Sequence, residues 1–151
     1  MDEGGDLSIR VAEVSDLPHV LRLLAQPDMD NGAVLEIGQA RSVFAEICSI
    51  PNYRLYIAEQ AGEVVGTFAL LIMPNLGHLG AASGVLEDVV VAEHSHQKGI
   101  GRRMVQKALE LCRLAGCYKM VLSSNLRRTE AHAFYERLGF EKHGYSYRVS
   151  L

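Results

Sequence analysis

The hydrophobic period of this chain changes at a single glycine turn, and that change constrains the fold more than any other feature. Residues 85–91 (VLEDVVV) have strand character, and residues 92–98 are polar and follow neither period. From Gly99 onward, Ile100, Met104, Val105, Ala108, Leu109, Leu111 and Cys112 recur at helical spacing, with Arg102, Arg103, Lys107 and Glu110 on the opposite face. A further strand is expected at 118–123, so the helix is a crossover in a sheet.

The elements before this turn read as follows. Residues 7–11 alternate apolar and polar, as a half-buried strand does. Ser15-Asp16 offers an N-cap, Pro18 is tolerated in the first helical turn, and Leu17, Val20, Leu21 and Leu24 mark a short helix. Ile37, Ala40, Val43, Phe44 and Ile47 mark a second helix. Strands at 53–59 and 63–73 meet at the turn Gln60-Ala61-Gly62-Glu63. A glycine-rich loop spans 74–84.

Beyond the crossover, residues 128–138 form a helix with Ala131, Phe134, Tyr135 and Leu138 on one side and Gly139 at its C-cap. Residues 140–151 alternate as a final strand. The order is β-α-α-β-β-β-α-β-α-β, a mixed α/β fold, with one domain over 7–151 behind a flexible acidic tail at 1–6.

Composition excludes several classes. The chain has 151 residues, 48% of them hydrophobic and 22% charged, so a packed core is expected rather than disorder. Fifteen Lys and Arg against eighteen Asp and Glu argue against general binding to a nucleic-acid backbone. No apolar run approaches the roughly 20 residues of a membrane span. Three cysteines, Cys48, Cys112 and Cys117, lack metal-type spacing and read as reduced thiols of a cytoplasmic protein.

The segment His96-Gln97-Lys98-Gly99-Ile100-Gly101-Arg102-Arg103 carries the functional signal. Glycines at a strand-to-helix junction let backbone N–H groups approach a ligand, and the helix start carries partial positive charge. Such a site suits phosphate. A Walker A loop fails because Lys98 precedes Gly99 and no Ser or Thr follows. A dinucleotide fingerprint lacks its third glycine, since position 104 is Met.

This segment resembles the pyrophosphate-binding loop of the GNAT superfamily of acyl-CoA-dependent N-acetyltransferases, Gln/Arg-x-x-Gly-x-Gly/Ala. The run Arg128-Thr129-Glu130-Ala131-His132-Ala133-Phe134-Tyr135-Glu136-Arg137-Leu138-Gly139-Phe140 resembles that family's C-terminal helix, with its A-x-x-F-Y-x-x-x-G-F ending. The stretches Leu86-Glu87-Asp88-Val89-Val90-Val91 and Gly116-Cys117-Tyr118-Lys119 are similar to glucosamine-phosphate acetyltransferases. The spacing from Ser123-Ser124-Asn125 to Phe134-Tyr135 is similar to aminoalkylphosphonate acetyltransferases. His96 departs from the family's usual Gln or Arg, and a neutral imidazole adds less charge there.

The resemblance implies acetyl-CoA as acetyl donor and a small primary amine as acceptor: an amino sugar, aminophosphonate, polyamine or amino acid. It assigns His96, Gln97, Lys98, Gly99, Ile100, Gly101 and Arg102 to the pyrophosphate. Val89, Val90 and Val91 would line the pantetheine arm, which pairs like an added strand where the 85–91 strand splays from 118–123. An N–H near Val89 would stabilise the oxyanion. Asn125 would touch the cofactor arm or its substrate end, Arg128 a phosphate, and Asn75 and His78 the acceptor. Tyr135 is the implied general acid for the leaving thiolate. A homodimer through 141–151 is implied as well.

Glu87 and Asp88 are candidate bases. Strand alternation places them on opposite faces, Glu87 with Val89 and Val91, and Asp88 with Leu86 and Val90. Glu87 is the preferred base, with Asp88 or water as alternatives. His94 and His96 lack a third ligand, so no metal is expected. A non-catalytic acyl-CoA sensor and a protein N-acetyltransferase remain as other readings.

Overall fold

The computed structural model describes residues 6–96 and 98–151, so the expected tail lies, apart from Asp6, outside the described residues. The chain divides into two compact units, one ending at Val121 and the other spanning Leu122–Leu151.

In the first unit, β1 (Ser8–Val11) leads to α1 (Leu17–Leu24) and α2 (Ile37–Ser49). Then come β2 (Tyr53–Gln60), β3 (Glu63–Met73), β4 (Ser83–Val91), α3 (Ile100–Leu114) and β5 (Lys119–Val121). The sheet order is β1-β2-β3-β4-β5. Neighbours from β1 to β4 are antiparallel, and β5 is parallel to β4 because α3 carries the chain back across the sheet.

One sheet face packs against α1 and α2. Val20 and Leu23 of α1 join Ala12, Ile57, Val64, Val90 and Ala92 in a buried cluster, with Phe44 of α2 packed against it. The other face receives α3, whose residues Ile100, Met104, Val105, Ala108 and Cys112 are all buried. Gly84 makes this docking close: a Cβ there would collide with Cys112 Sγ. The broad apolar face expected for α3 is therefore the face that docks.

Asp16 stands at the N-cap of α1, but its side chain makes no bond to that helix. Its carboxylate instead accepts both arms of the Arg10 guanidinium, at 2.8 and 3.0 Å, and the Glu13 N–H at 2.7 Å. Arg10 also donates to Glu59 Oε2 at 3.2 Å. The pairing ties β1 to the start of α1 and to β2.

In the second unit, α4 (Thr129–Arg137) ends before Gly139, whose φ of 95° is the left-handed C-cap expected there. Two expected elements differ. The strand at 118–123 contracts to Lys119–Val121, and 140–151 forms no strand among the described residues. Alternation supplies strand propensity, but a strand persists only when its N–H and C=O groups find a partner. Tyr145, Tyr147, Val149 and Leu151 are exposed.

Candidate active site

β4 is the scaffold of the site. It pairs with β5 only through Ser83, Gly84 and Val85, so from Leu86 onward its β5-facing edge has no ladder partner among the described residues. Pairing stops there because β5 itself ends at Val121, not because two paired strands diverge. On its other side β4 pairs with β3, and the register slips between Thr67 and Ala69. Thr67 faces Val90 and Ala69 faces Glu87, so Asp88 and Val89 together oppose Phe68. The extra residue is a β-bulge, and Asp88 takes a left-handed φ of 51° there.

The bulge corrects the expected facing of the carboxylates. Glu87 stands in register with Ala69 and Leu55, the face that Val90, Thr67 and Ile57 also share. Glu87 therefore lies on the α1–α2 face with Val90, and not with Val91. Strict alternation cannot pass through an inserted residue. The Asp88 and Glu87 charges both act on the phenol of Tyr53. Burial, and then these two charges, hold the Tyr53 phenol protonated above its ordinary range.

Both carboxylates hold their protons more tightly than usual. Both side chains are solvent-exposed, yet partial desolvation, and then the Asp88 charge, raise Glu87. Partial desolvation, and then Asp30 in the loop after α1, raise Asp88. An elevated carboxylate is a stronger base once ionised and is suited to taking a proton from an ammonium group. Tyr53 and Asp30 escaped sequence reasoning because only the sheet register and the path of the α1–α2 loop bring them here.

At the end of β4 the chain turns through Glu93–Ser95 into α3. Gly99 is the N-cap, with φ 78°. The first intrahelical bond at this end is Arg103 N–H to Gly99 O at 3.1 Å, so the N–H groups of Ile100, Gly101 and Arg102 have no intrahelical acceptor. These groups fit a pyrophosphate. The Ile100 side chain is buried, which leaves its backbone for a ligand, whereas Lys98 and Arg102 are exposed. Gln97 lies outside the described residues.

His96 turns back toward the strand: its Nε2 lies 3.0 Å from Val91 O. A carbonyl only accepts, so Nε2 is the protonated nitrogen. Gln26, which the sequence offered no reason to single out, donates to the same carbonyl at 3.0 Å and accepts the Glu93 N–H at 3.0 Å. His94 faces Glu63 at 3.4 Å, and among the described residues no cluster of His, Cys, Asp and Glu is arranged to hold a metal ion.

The loop before β4 joins that strand at its Ser83 end, about 13 Å along the strand from Glu87. Asn75 Nδ2 is spent on the loop itself, donating to Ala81 O at 3.0 Å and Ser83 Oγ at 3.2 Å. The His78 ring stacks on Tyr118 with centroids 4.2 Å apart. The structure thus separates Asn75 and His78 from the two carboxylates along β4.

In the second unit, the Asn125 side-chain oxygen accepts the Arg127 N–H at 2.9 Å, and its backbone oxygen accepts His132 Nε2 at 2.8 Å and the Arg128 N–H at 3.0 Å. Asn125 therefore shapes the entry to α4. Tyr135 packs edge-on against Phe134 and Phe140 at 5.2 and 5.6 Å. Burial raises its phenol, and the Arg128 charge partly opposes that rise.

Comparison with known proteins agrees with this architecture. The family described as "Acetyltransferase (GNAT) family" matches residues 21–140. A glucosamine 6-phosphate N-acetyltransferase of Trypanosoma brucei brucei is 31% identical over 150 residues, covering 97% of each chain. An aminoalkylphosphonate N-acetyltransferase of Salmonella typhimurium is 33% identical over 111 residues, 74% of this chain and 71% of that protein. A solved putative acetyltransferase from Agrobacterium tumefaciens superposes with a TM-score of 0.89 at 32% identity, over 95% of this chain and 99% of that one. With the unpaired stretch of β4, the glycine-started helix and these matches together, the chain belongs to the GNAT family of acetyltransferases.

Proposed function

We propose that this protein moves an acetyl group from acetyl-CoA to the primary amine of a small phosphorylated or phosphonylated acceptor. The carrying observation is that β4 runs on past the end of β5, its edge from Leu86 having no ladder partner among the described residues, with Glu87 and Asp88 on that stretch and a bulge just after Glu87. The unpaired edge suits an extended pantetheine arm, as an added strand would pair. The start of α3 suits the pyrophosphate. The two curated relatives described above are named for amines that carry phosphate or phosphonate, which supports the acceptor class. Arg128, near Tyr135, offers an anion partner for the acceptor or the CoA phosphate.

In a ternary complex, the neutral amine attacks the thioester carbon, a C–N bond forms and the C–S bond breaks. Glu87, with Asp88 or water as the alternative, takes the amine proton. An N–H near Val89 steadies the oxyanion, and Tyr135 protonates the departing sulfur. A phenol raised by burial stays protonated at neutral pH, as a donor must. We also propose a cytoplasmic location, consistent with three free cysteines, and a homodimer through 141–151, whose alternating apolar side chains are exposed.

A thiol-release assay tests the reaction. Glucosamine 6-phosphate, an aminoalkylphosphonate, a polyamine, an amino acid and a peptide N-terminus are supplied with acetyl-CoA. The expected result is that a phospho-acceptor exceeds its unphosphorylated analogue by at least about tenfold in kcat/KM, as a charge-assisted contact allows. Tight acetyl-CoA binding with no CoA release on any amine would instead identify a sensor. Tyr135→Phe is expected to lower kcat with little change in acetyl-CoA affinity. A monomer mass by light scattering would remove the dimer.

A further inference from the structure

Gln26 follows α1 and is half-buried, yet its side chain bonds to a different element. Nε2 donates to Val91 O, the last carbonyl of β4, and Oε1 accepts from Glu93 N–H, the first residue of the turn toward α3. His96, on the far side of that turn, donates to the same carbonyl. The backbone of the same residue organises the loop beyond α1: Gln26 O accepts Met29 N–H at 3.0 Å and Asn31 N–H at 3.3 Å, around Asp30.

We propose that Gln26 is a positioning residue for the CoA-binding turn, holding the exit of β4 and the approach to α3 in the geometry that offers the α3 N–H groups to the pyrophosphate. The assignment rests on the acetyl-CoA reading above and adds the device that sets the turn. The turn would otherwise be a short polar stretch with Val91 O and Glu93 N–H lacking this bridge. Gln suits the position because one planar amide supplies a donor and an acceptor at a fixed separation. Because His96 and Gln26 share one acceptor, the imidazole at the family's Gln or Arg position works here as a second fastening of the turn.

CoA binding by titration calorimetry, with steady-state kinetics and amide exchange, tests this. Gln26→Met keeps the length and removes both hydrogen bonds. It is expected to weaken CoA binding by about three- to tenfold, the worth of one net hydrogen bond or slightly more. The acetyl-CoA KM should rise with it, while the acceptor KM and kcat stay within about twofold, since the loop around Asp30 is held by the Gln26 backbone. Exchange of the Glu93 amide should accelerate while that of Ile57 in β2 does not.

Gln26→Glu serves as the second variant, should Gln26→Met fold poorly. Its ionised carboxylate can accept from Glu93 but cannot donate to Val91 O. Its CoA affinity should therefore be low at pH 8 and move toward wild type as pH falls to about 5.5, where a raised carboxyl regains a proton. Wild type over the same range is the control. CoA affinity unchanged in Gln26→Met, or acceptor KM rising in step with it, overturns the assignment. A wild type that binds no CoA overturns the acetyltransferase reading and this assignment with it. A wild type that binds, with both variants equal to it, overturns this assignment alone.

Discussion

Asp88 holds a left-handed φ of 51° in the middle of a sheet, where an L side chain is strained by roughly 1 kcal/mol. Asp tolerates this conformation better than a β-branched residue, and the strain is retained where two carboxylates meet. Asp88→Gly is expected to raise stability by about 0.5–1 kcal/mol and to lower kcat, measured by thermal melting and by CoA release. No rise in melting temperature would remove the strain argument.

Glu87 gives a second prediction at this scale. Its carboxyl lies above the ordinary 4.5, so the folded state binds its proton more tightly than the unfolded chain. The resulting stability is complete below the ordinary value and is lost as pH rises through the raised one. Glu87→Gln should therefore match wild type in acid and exceed it near neutrality, while losing the acidic limb of the kcat/KM profile if Glu87 is the base. An unchanged limb assigns the proton to Asp88 or water. The residue types of this pair were legible in the sequence. Its facing was not, because a bulge is an event of pairing with β3.

α3 was the most legible element, since its apolar residues cover a wide face and its start is marked by Gly99. Its two critical glycines act differently. A Cβ at Gly84 would meet Cys112 Sγ and lie 3.3 Å from Met120 Cγ. Gly84→Val overfills that contact and is expected to cost about 1–3 kcal/mol in denaturant unfolding. A Cβ at Gly99 meets nothing within 4 Å, so Gly99→Ala costs only backbone strain, about 1 kcal/mol. That change should appear mainly as weaker CoA binding. A larger stability loss in Gly99→Ala than in Gly84→Val would contradict this distinction. The strand expected at 118–123 extended too far because apolar alternation continues past Val121, whereas its pairing with β4 stops at Val85.

For the molecule as a whole, the Arg10, Asp16 and Glu59 cluster joins the first strand, the first helix and the second strand. Asp16 is buried at 6% exposure, and the guanidinium hydrogen bonds of Arg10 hold its carboxyl below the ordinary 3.8. Its contribution is present above that ordinary value and is lost as pH falls through the lowered one. Asp16→Asn is expected to cost about 1–2 kcal/mol at pH 7, moderated because the Arg10 side chain is 36% exposed. The gap should close in acid, as pH falls through that lowered value. A constant gap across pH would assign the loss to packing alone.

The sequence by itself determined the order of the main elements, the apolar face of α3 and the glycine turn before it. These are local properties, written in residue period and backbone freedom within a few turns of chain. Tertiary structure decided the bulge just after Glu87, the early end of β5, and the two hydrogen bonds from Gln26. Each of these depends on a partner distant in sequence, so no local pattern records it. Residues 140–151 mark the boundary: their alternation is local, but a strand requires a neighbour that the sequence does not name.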